Sequence, residues 1–222
     1  MKRLEIDSPI SPTLASLTLL QRKHLLNIPF ENLDIHWGNP ISLNTDSLFD
    51  KIIDNGRGGF CYELNGLFHA LLSSLGFDVR MISARVYHNE TFSPAFDHMA
   101  LLVTIDGRRW LTDVGFGDFI YAPLNIAIGA PQTGPRGTFR IREQEREYYL
   151  VQHQNTTGSW EHEYLFTTKA RNLDDFADRC DFHQHSEESH FSRKKICSKA
   201  TPSGRITATD EKLKNKPRWI YP

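Results

Sequence analysis

A cysteine, a histidine and an aspartate stand in this chain in an arrangement that could carry acyl transfer. Cys61 follows a glycine pair within Arg57-Gly58-Gly59-Phe60-Cys61-Tyr62-Glu63-Leu64-Asn65. Apolar residues then recur at Leu64, Leu67, Phe68, Leu71, Leu72 and Leu75, and Gly76 follows them. That is a helical period with a glycine stop, so Cys61 is expected at a helix N-terminus. Orphan N–H groups and the helix dipole favour an anion there, which brings the thiolate within reach of neutral pH. A thiolate is the nucleophile that acyl transfer needs. A lone cysteine is more often a small buried hydrophobe, so the chemical reading depends on partners.

The partners come from a segment that reads as a hairpin. His98-Met-Ala-Leu-Leu-Val-Thr-Ile105 is strand-like, Asp106-Gly107 is a two-residue turn signal, and Arg108-Arg-Trp-Leu-Thr-Asp-Val114 returns. With that turn, Ile105 opposes Arg108, Leu102 opposes Leu111 and Ala100 opposes Asp113. Alternate positions along a strand share a face, so His98 and Asp113 become diagonal neighbours. Diagonal partners lie roughly 7–8 Å apart at the backbone, within reach of an imidazole and a carboxylate. A longer loop or a bulge would change this register. In chain order the chemistry is then nucleophile Cys61, base His98 and orienting acid Asp113.

The elements that must position these groups are readable from periodicity. A first helix is expected from a cap at Ser11 with Pro12 at the first helical position, carrying Leu14, Leu17, Leu20 or Gln21, and Leu25, and stopped by Pro29. A second begins near Asn44 or Asp46 and buries Leu48, Phe49, Ile52 and Ile53 before Gly56. The third is the Cys61 helix. After Gly76 the period becomes that of strands: 79–87, the hairpin, 138–141, 148–152 and 163–167. Loops are marked by Pro123, Pro131 and Pro135 with Gly129, Gly134 and Gly137. Helices followed by antiparallel strands make an α+β chain. From about Asp178 the sequence turns polar, and 184–218 reads as a surface segment with partial order.

Composition excludes several classes. The chain has 222 residues and a net charge of −1, so it presents no global field for nucleic acid or an anionic membrane. No apolar run approaches the roughly 18 residues of a membrane span, and no signal-peptide core follows the basic start. Three cysteines, Cys61, Cys180 and Cys197, are too few for a disulfide framework and suit a reduced cytoplasmic setting. Cys180, His183, His185, His190 and Cys197 could ligate metal, but their spacing fits a zinc hook only loosely and no metal is expected. Gly115-x-Gly117 lacks the third glycine of a dinucleotide loop. Arg140, Arg142, Glu143, Glu145, Arg146 and Glu147 read as a solvated strand face.

Taken together, Ile28-Pro29-Phe30-Glu31-Asn32-Leu33, Arg57-Gly58-Gly59-Phe60-Cys61-Tyr62-Glu63, His98, Asp113-Val114-Gly115-Phe116-Gly117 and Pro123-Leu124 give the chain its family likeness. The chain resembles the arylamine N-acetyltransferases, from about Arg3 to Phe191. The resemblance implies a Cys61–His98–Asp113 triad that moves acetyl from acetyl-CoA to an aromatic amine, hydroxylamine or hydrazine. It implies Phe30, Val86 and Phe116 around the acceptor, Asp97, His98 and Gly117 at the coenzyme, and a Glu31–Arg57 pair behind the nucleophile. For the fold it implies a helical domain over 1–78, an antiparallel β-barrel over 79–183, similar to transglutaminase-like cysteine enzymes, and a polar segment over 184–222 where a lid domain would begin. A mostly absent lid would leave acetyl-CoA with fewer contacts. Other readings are an amide synthase of the same family, a transglutaminase-like cysteine hydrolase, and a non-catalytic binding module.

Overall fold

The computed structural model describes residues 2–127, 129–134, 136–144 and 147–217, residue 217 by its backbone alone. Helix α1 (Leu14–Asn27) begins one residue after Thr13, whose hydroxyl accepts from the Ser16 N–H at 3.2 Å. The cap is therefore Thr13 and not Ser11, and Pro12 lies outside the helix. Leu17, Leu20, Gln21, His24 and Leu25 form its buried face. Strand β1 (Phe30–Glu31) and the short helix α2 (Leu33–Trp37) follow. Helix α3 (Thr45–Phe49) is capped by the Asn44 side chain, which accepts from the Ser47 N–H at 2.9 Å. It continues into a π-turn over Asp50–Asp54. The wider turn keeps Leu48 and Ile52 inside but leaves Phe49, expected in the core, 47% exposed. Helix α4 (Cys61–Ser74) is buried on most of its surface through Phe68 and ends before Gly76.

The strands are β2 (Asp78–His88), β3 (Thr91–Phe92), β4 (His98–Ile105), β5 (Arg108–Thr112), β6 (Leu124–Asn125), β7 (Gln132–Gly134), β8 (Gly137–Glu143), β9 (Tyr148–Gln154) and β10 (Trp160–Thr167). They form one antiparallel sheet in the order β6-β5-β4-β2-β10-β9-β8-β7, with β3 added to β2. Its two ends are tied by side chain: Gln132 accepts from the Asn125 N–H at 2.7 Å and donates to the Asn125 carbonyl at 2.8 Å. The result is a nearly closed barrel filled by Ile82, Ala84, Ala100, Leu102, Leu111, Phe119, Tyr164 and Phe166 among others. The β4–β5 turn has Asp106 and Gly107 at φ +51° and +71°, as a two-residue hairpin turn requires. The register pairs Ile105 with Arg108 and Leu102 with Leu111, as the sequence predicts.

Of the charged run on and after β8, Arg142, Glu143 and Glu147 are exposed. Arg140 is half-buried, lies 4.0 Å over the Trp160 ring and donates to Gln152. Glu145, Arg146 and Pro135 lie outside the described residues, as do 218–222.

Beyond the barrel come α5 (Ala177–His185) and α6 (His190–Arg193). The polar stretch after them is regular structure where described: β11 (Ile196–Thr201), β12 (Gly204–Thr209) and β13 (Leu213–Pro217). They extend β1 into a four-stranded sheet, β1-β11-β12-β13. Composition suggested partial order because the strands carry few large apolars. Their order comes instead from ladder bonds to β1 and from one buried arginine, Arg205.

Candidate active site

The glycine loop before Cys61 is stitched along β1. Glu31 N–H donates to the Gly59 carbonyl at 2.9 Å, and a Cβ on Gly58 would stand 2.1 Å from the Pro29 carbonyl oxygen. Only glycine allows that approach. Beneath the loop lies a compact charge cluster. Arg57 donates to Glu31 Oε1 from Nε at 3.0 Å and from Nη2 at 2.7 Å, and to Asp34 at 3.1 Å. Lys51 Nζ lies 2.7 Å from both Asp34 and Glu63. The other Glu63 oxygen accepts from the Phe60 N–H at 3.0 Å, fixing the first turn of α4. Burial pushes the Glu63 carboxyl up to about 7, against the pull of Lys51. The Glu31 side chain is 2% exposed, whereas that of Arg57 is 30% exposed and packs over Trp37.

One turn beyond Cys61, Asn65 does the central positioning. Continued past Leu101–Thr112, the register would pair Ala100 with Asp113 and then Met99 with Val114, but β5 ends at Thr112. The Asn65 carboxamide fills that rung: Nδ2 donates to the Met99 carbonyl at 2.7 Å, and Oδ1 accepts from the Val114 N–H at 3.0 Å. The start of α4 thus takes the place of β5 along the beginning of β4, the strand that His98 opens. Gly115 makes this possible, since a Cβ there would stand 2.8 Å from Cys61 Cα.

His98 Nε2 donates to Asp113 Oδ2 at 2.7 Å, both side chains being at most 3% exposed. The Asp113 carboxylate is fully engaged: Oδ1 accepts from Asn65 Nδ2 at 3.0 Å and the Gly115 N–H at 2.9 Å, and Oδ2 also accepts from the Tyr164 hydroxyl at 3.2 Å. Such a carboxylate fixes the imidazole tautomer and leaves Nδ1 as the ring nitrogen for proton transfer. The thiol differs from the expectation set by its helix terminus. Burial pushes Cys61 well above its ordinary value, and Asp97 and Asp113 add to this, while the Met99 N–H pulls the other way. Burial thus favours the neutral thiol despite its place at the helix N-terminus.

Phe116 packs edge-on against His98, with ring centroids 5.0 Å apart, and against Tyr164 at 5.0 Å. Val86 pairs with Tyr164 across β2–β10, and Ala84 with His98 across β2–β4, so Val86 points to the same barrel face as His98. Phe30 stands apart from these on β1, 5.9 Å from the Phe191 ring. Gly117 adopts φ +93°, and its carbonyl accepts from Arg205. Asp97 is occupied by α5: it is ion-paired to Arg179 and lies 3.1 Å from His183 Nε2. Burial would raise its carboxyl, but His183 and Arg179 outweigh that and hold it well below the usual range. His183 Nδ1 shares a hydrogen bond with Ser189, and among the described residues no group of His, Cys, Asp and Glu could hold a metal. The sequence reading missed Asn65, Tyr164, Lys51 and Arg205. Asn65 was findable at i+4 from Cys61, on the same helix face; the others are long-range contacts without a local signal.

A family profile described as N-acetyltransferase matches residues 13–218. Human arylamine N-acetyltransferase 1 is 32% identical over 210 residues, covering 86% of this chain and 72% of the human protein. The Salmonella typhimurium arylamine N-acetyltransferase / N-hydroxyarylamine O-acetyltransferase is 33% identical over 202 residues, covering 90% and 71%. The structure of the Mycobacterium marinum arylamine N-acetyltransferase in complex with CoA superposes with a TM-score of 0.87 at 31% identity, covering 96% of this chain and 80% of that one.

Proposed function

Because the chain belongs to the arylamine N-acetyltransferase family, we propose that it carries acetyl from acetyl-CoA to an aromatic amine, hydroxylamine or hydrazine by way of acetyl-Cys61. The carrying observation is the fully bonded Asp113–His98 pair together with a buried thiol at the start of α4. His98 Nδ1 takes the Cys61 proton, and Asp113 stabilises the imidazolium so formed. The thiolate attacks the thioester carbonyl; backbone N–H groups at the start of α4, Cys61's own among them, hold the oxyanion. Collapse expels the coenzyme thiolate, which takes the proton back from His98 and leaves acetyl on sulfur. In the second half an amine attacks the acetyl-thioester, His98 removes its proton, and the Cys61 thiolate departs.

An aromatic acceptor suits the apolar face made by Phe116 and Val86, and Phe30 is assigned to the same acceptor pocket. The coenzyme is assigned an approach past Gly117 and His98; that a relative from M. marinum binds CoA supports acetyl-CoA as the donor. Asp97, held by Arg179 and His183, is assigned to anchoring the start of β4 and not to the coenzyme. The free state of Cys61, Cys180 and Cys197 is in keeping with a reducing, cytoplasmic setting. Steady-state kinetics with acetyl-CoA and an arylamine test the reading. Parallel double-reciprocal lines are expected, with Cys61→Ser inactive; intersecting lines, or an active Cys61→Ser, would refute the intermediate.

A further inference from the structure

The C-terminal sheet meets the barrel through one buried cation. Arg205 on β12 is 5% exposed. A guanidinium withdrawn from water needs partners. Its Nη2 donates to the Gly117 carbonyl at 2.5 Å, its Nη1 donates to the Ser198 hydroxyl at 2.9 Å, and its Nε lies 3.4 Å from Asp118 Oδ1. These partners belong to two different walls. Gly117 follows Phe116, whose ring touches His98. Ser198 is the ladder partner of Phe30 in the β1–β11 pair. One rigid fork therefore ties β11, the strand paired with Phe30's β1, to the loop that carries Phe116. Asp118 secures the loop end further, through Arg136 at 2.5 Å and Lys216 at 3.4 Å.

We propose that Arg205 is a positioning residue that sets the gap between Phe30 and Phe116, and thereby the size of acceptor admitted to Cys61. The inference rests on the acceptor-pocket reading above. Arginine suits the task because its planar fork holds two acceptors at fixed separation, which lysine cannot.

The test compares wild type, Arg205→Ala, Arg205→Lys and Ser198→Ala. Cys61 is alkylated with iodoacetamide and with the bulkier N-(1-naphthyl)iodoacetamide, which needs no turnover. Arg205→Ala is expected to leave the small reagent's rate within about twofold while raising the naphthyl-to-small ratio at least about fivefold. Arg205→Lys and Ser198→Ala should shift the same ratio less, and they carry the test if the alanine variant does not fold. In turnover, the kcat/KM ratio of 2-naphthylamine to aniline should rise in parallel, through the KM for aniline. An unchanged alkylation ratio in the folded variants would overturn the proposal even if the enzyme acetylates both amines. A changed ratio without amine acetylation by wild type would uphold the gap and refute the proposed reaction.

Discussion

Cys61 is 3% exposed, with Asp97 and Asp113 close enough to oppose its ionisation. In the proposed mechanism its reactivity comes from proton transfer to His98, giving a thiolate–imidazolium pair whose net charge is zero. This makes a residue-scale expectation. With His98→Gln, Cys61 should react with iodoacetamide at pH 7 at least about tenfold more slowly, and the pH at which it becomes reactive should move up. An unchanged alkylation profile would mean that α4 alone activates the thiol. The His98–Asp113 pair was legible in the sequence because each residue sits in a strongly patterned segment. What supports them was less so: Tyr164 reaches Asp113 from β10, 51 residues away, and nothing around Tyr164 announces it.

At the scale of elements, the glycine loop is held by ion pairs rather than by its own conformation. Arg57 spans Glu31 on β1 and Asp34 on α2, and without it the Glu31 carboxylate keeps, among the described residues, only the Leu33 N–H at 2.8 Å. Arg57→Ala should lower the melting temperature, by the equivalent of about 1–3 kcal/mol; that is below the loss for a fully buried pair because Arg57 is partly solvated. An unchanged melting curve would show that the β1–Gly59 backbone contacts suffice. Strands and the hairpin were readable because alternation and Asp106-Gly107 act locally. The cap at Thr13, the π-turn that exposes Phe49 and the sheet β1-β11-β12-β13 were not. Each depends on which neighbour supplies a hydrogen bond, and for the sheet that neighbour is β1, far away in the chain.

For the whole molecule, stability should carry the mark of a histidine buried away from the site. His24 packs edge-on to Phe68, and its Nδ1 has no hydrogen-bond partner among the described residues. Burial first, and Arg3 second, depress it from 6.5 to about 3. A depressed folded value means the unfolded chain takes up the proton first, so this group costs stability as pH falls below about 6.5, by at most about 1.4 kcal/mol per pH unit. His24→Gln should lose less stability than wild type between pH 7 and pH 5 in urea titrations; parallel losses would show that His24 is already charged when folded. The mass of the intact protein tests the central claim most directly. After acetyl-CoA is added and excess removed, wild type should gain one acetyl group, located on Cys61, and should lose it when an arylamine is supplied. A folded protein that gains no acetyl, or holds it on another residue, would contradict the acetyl-Cys61 account.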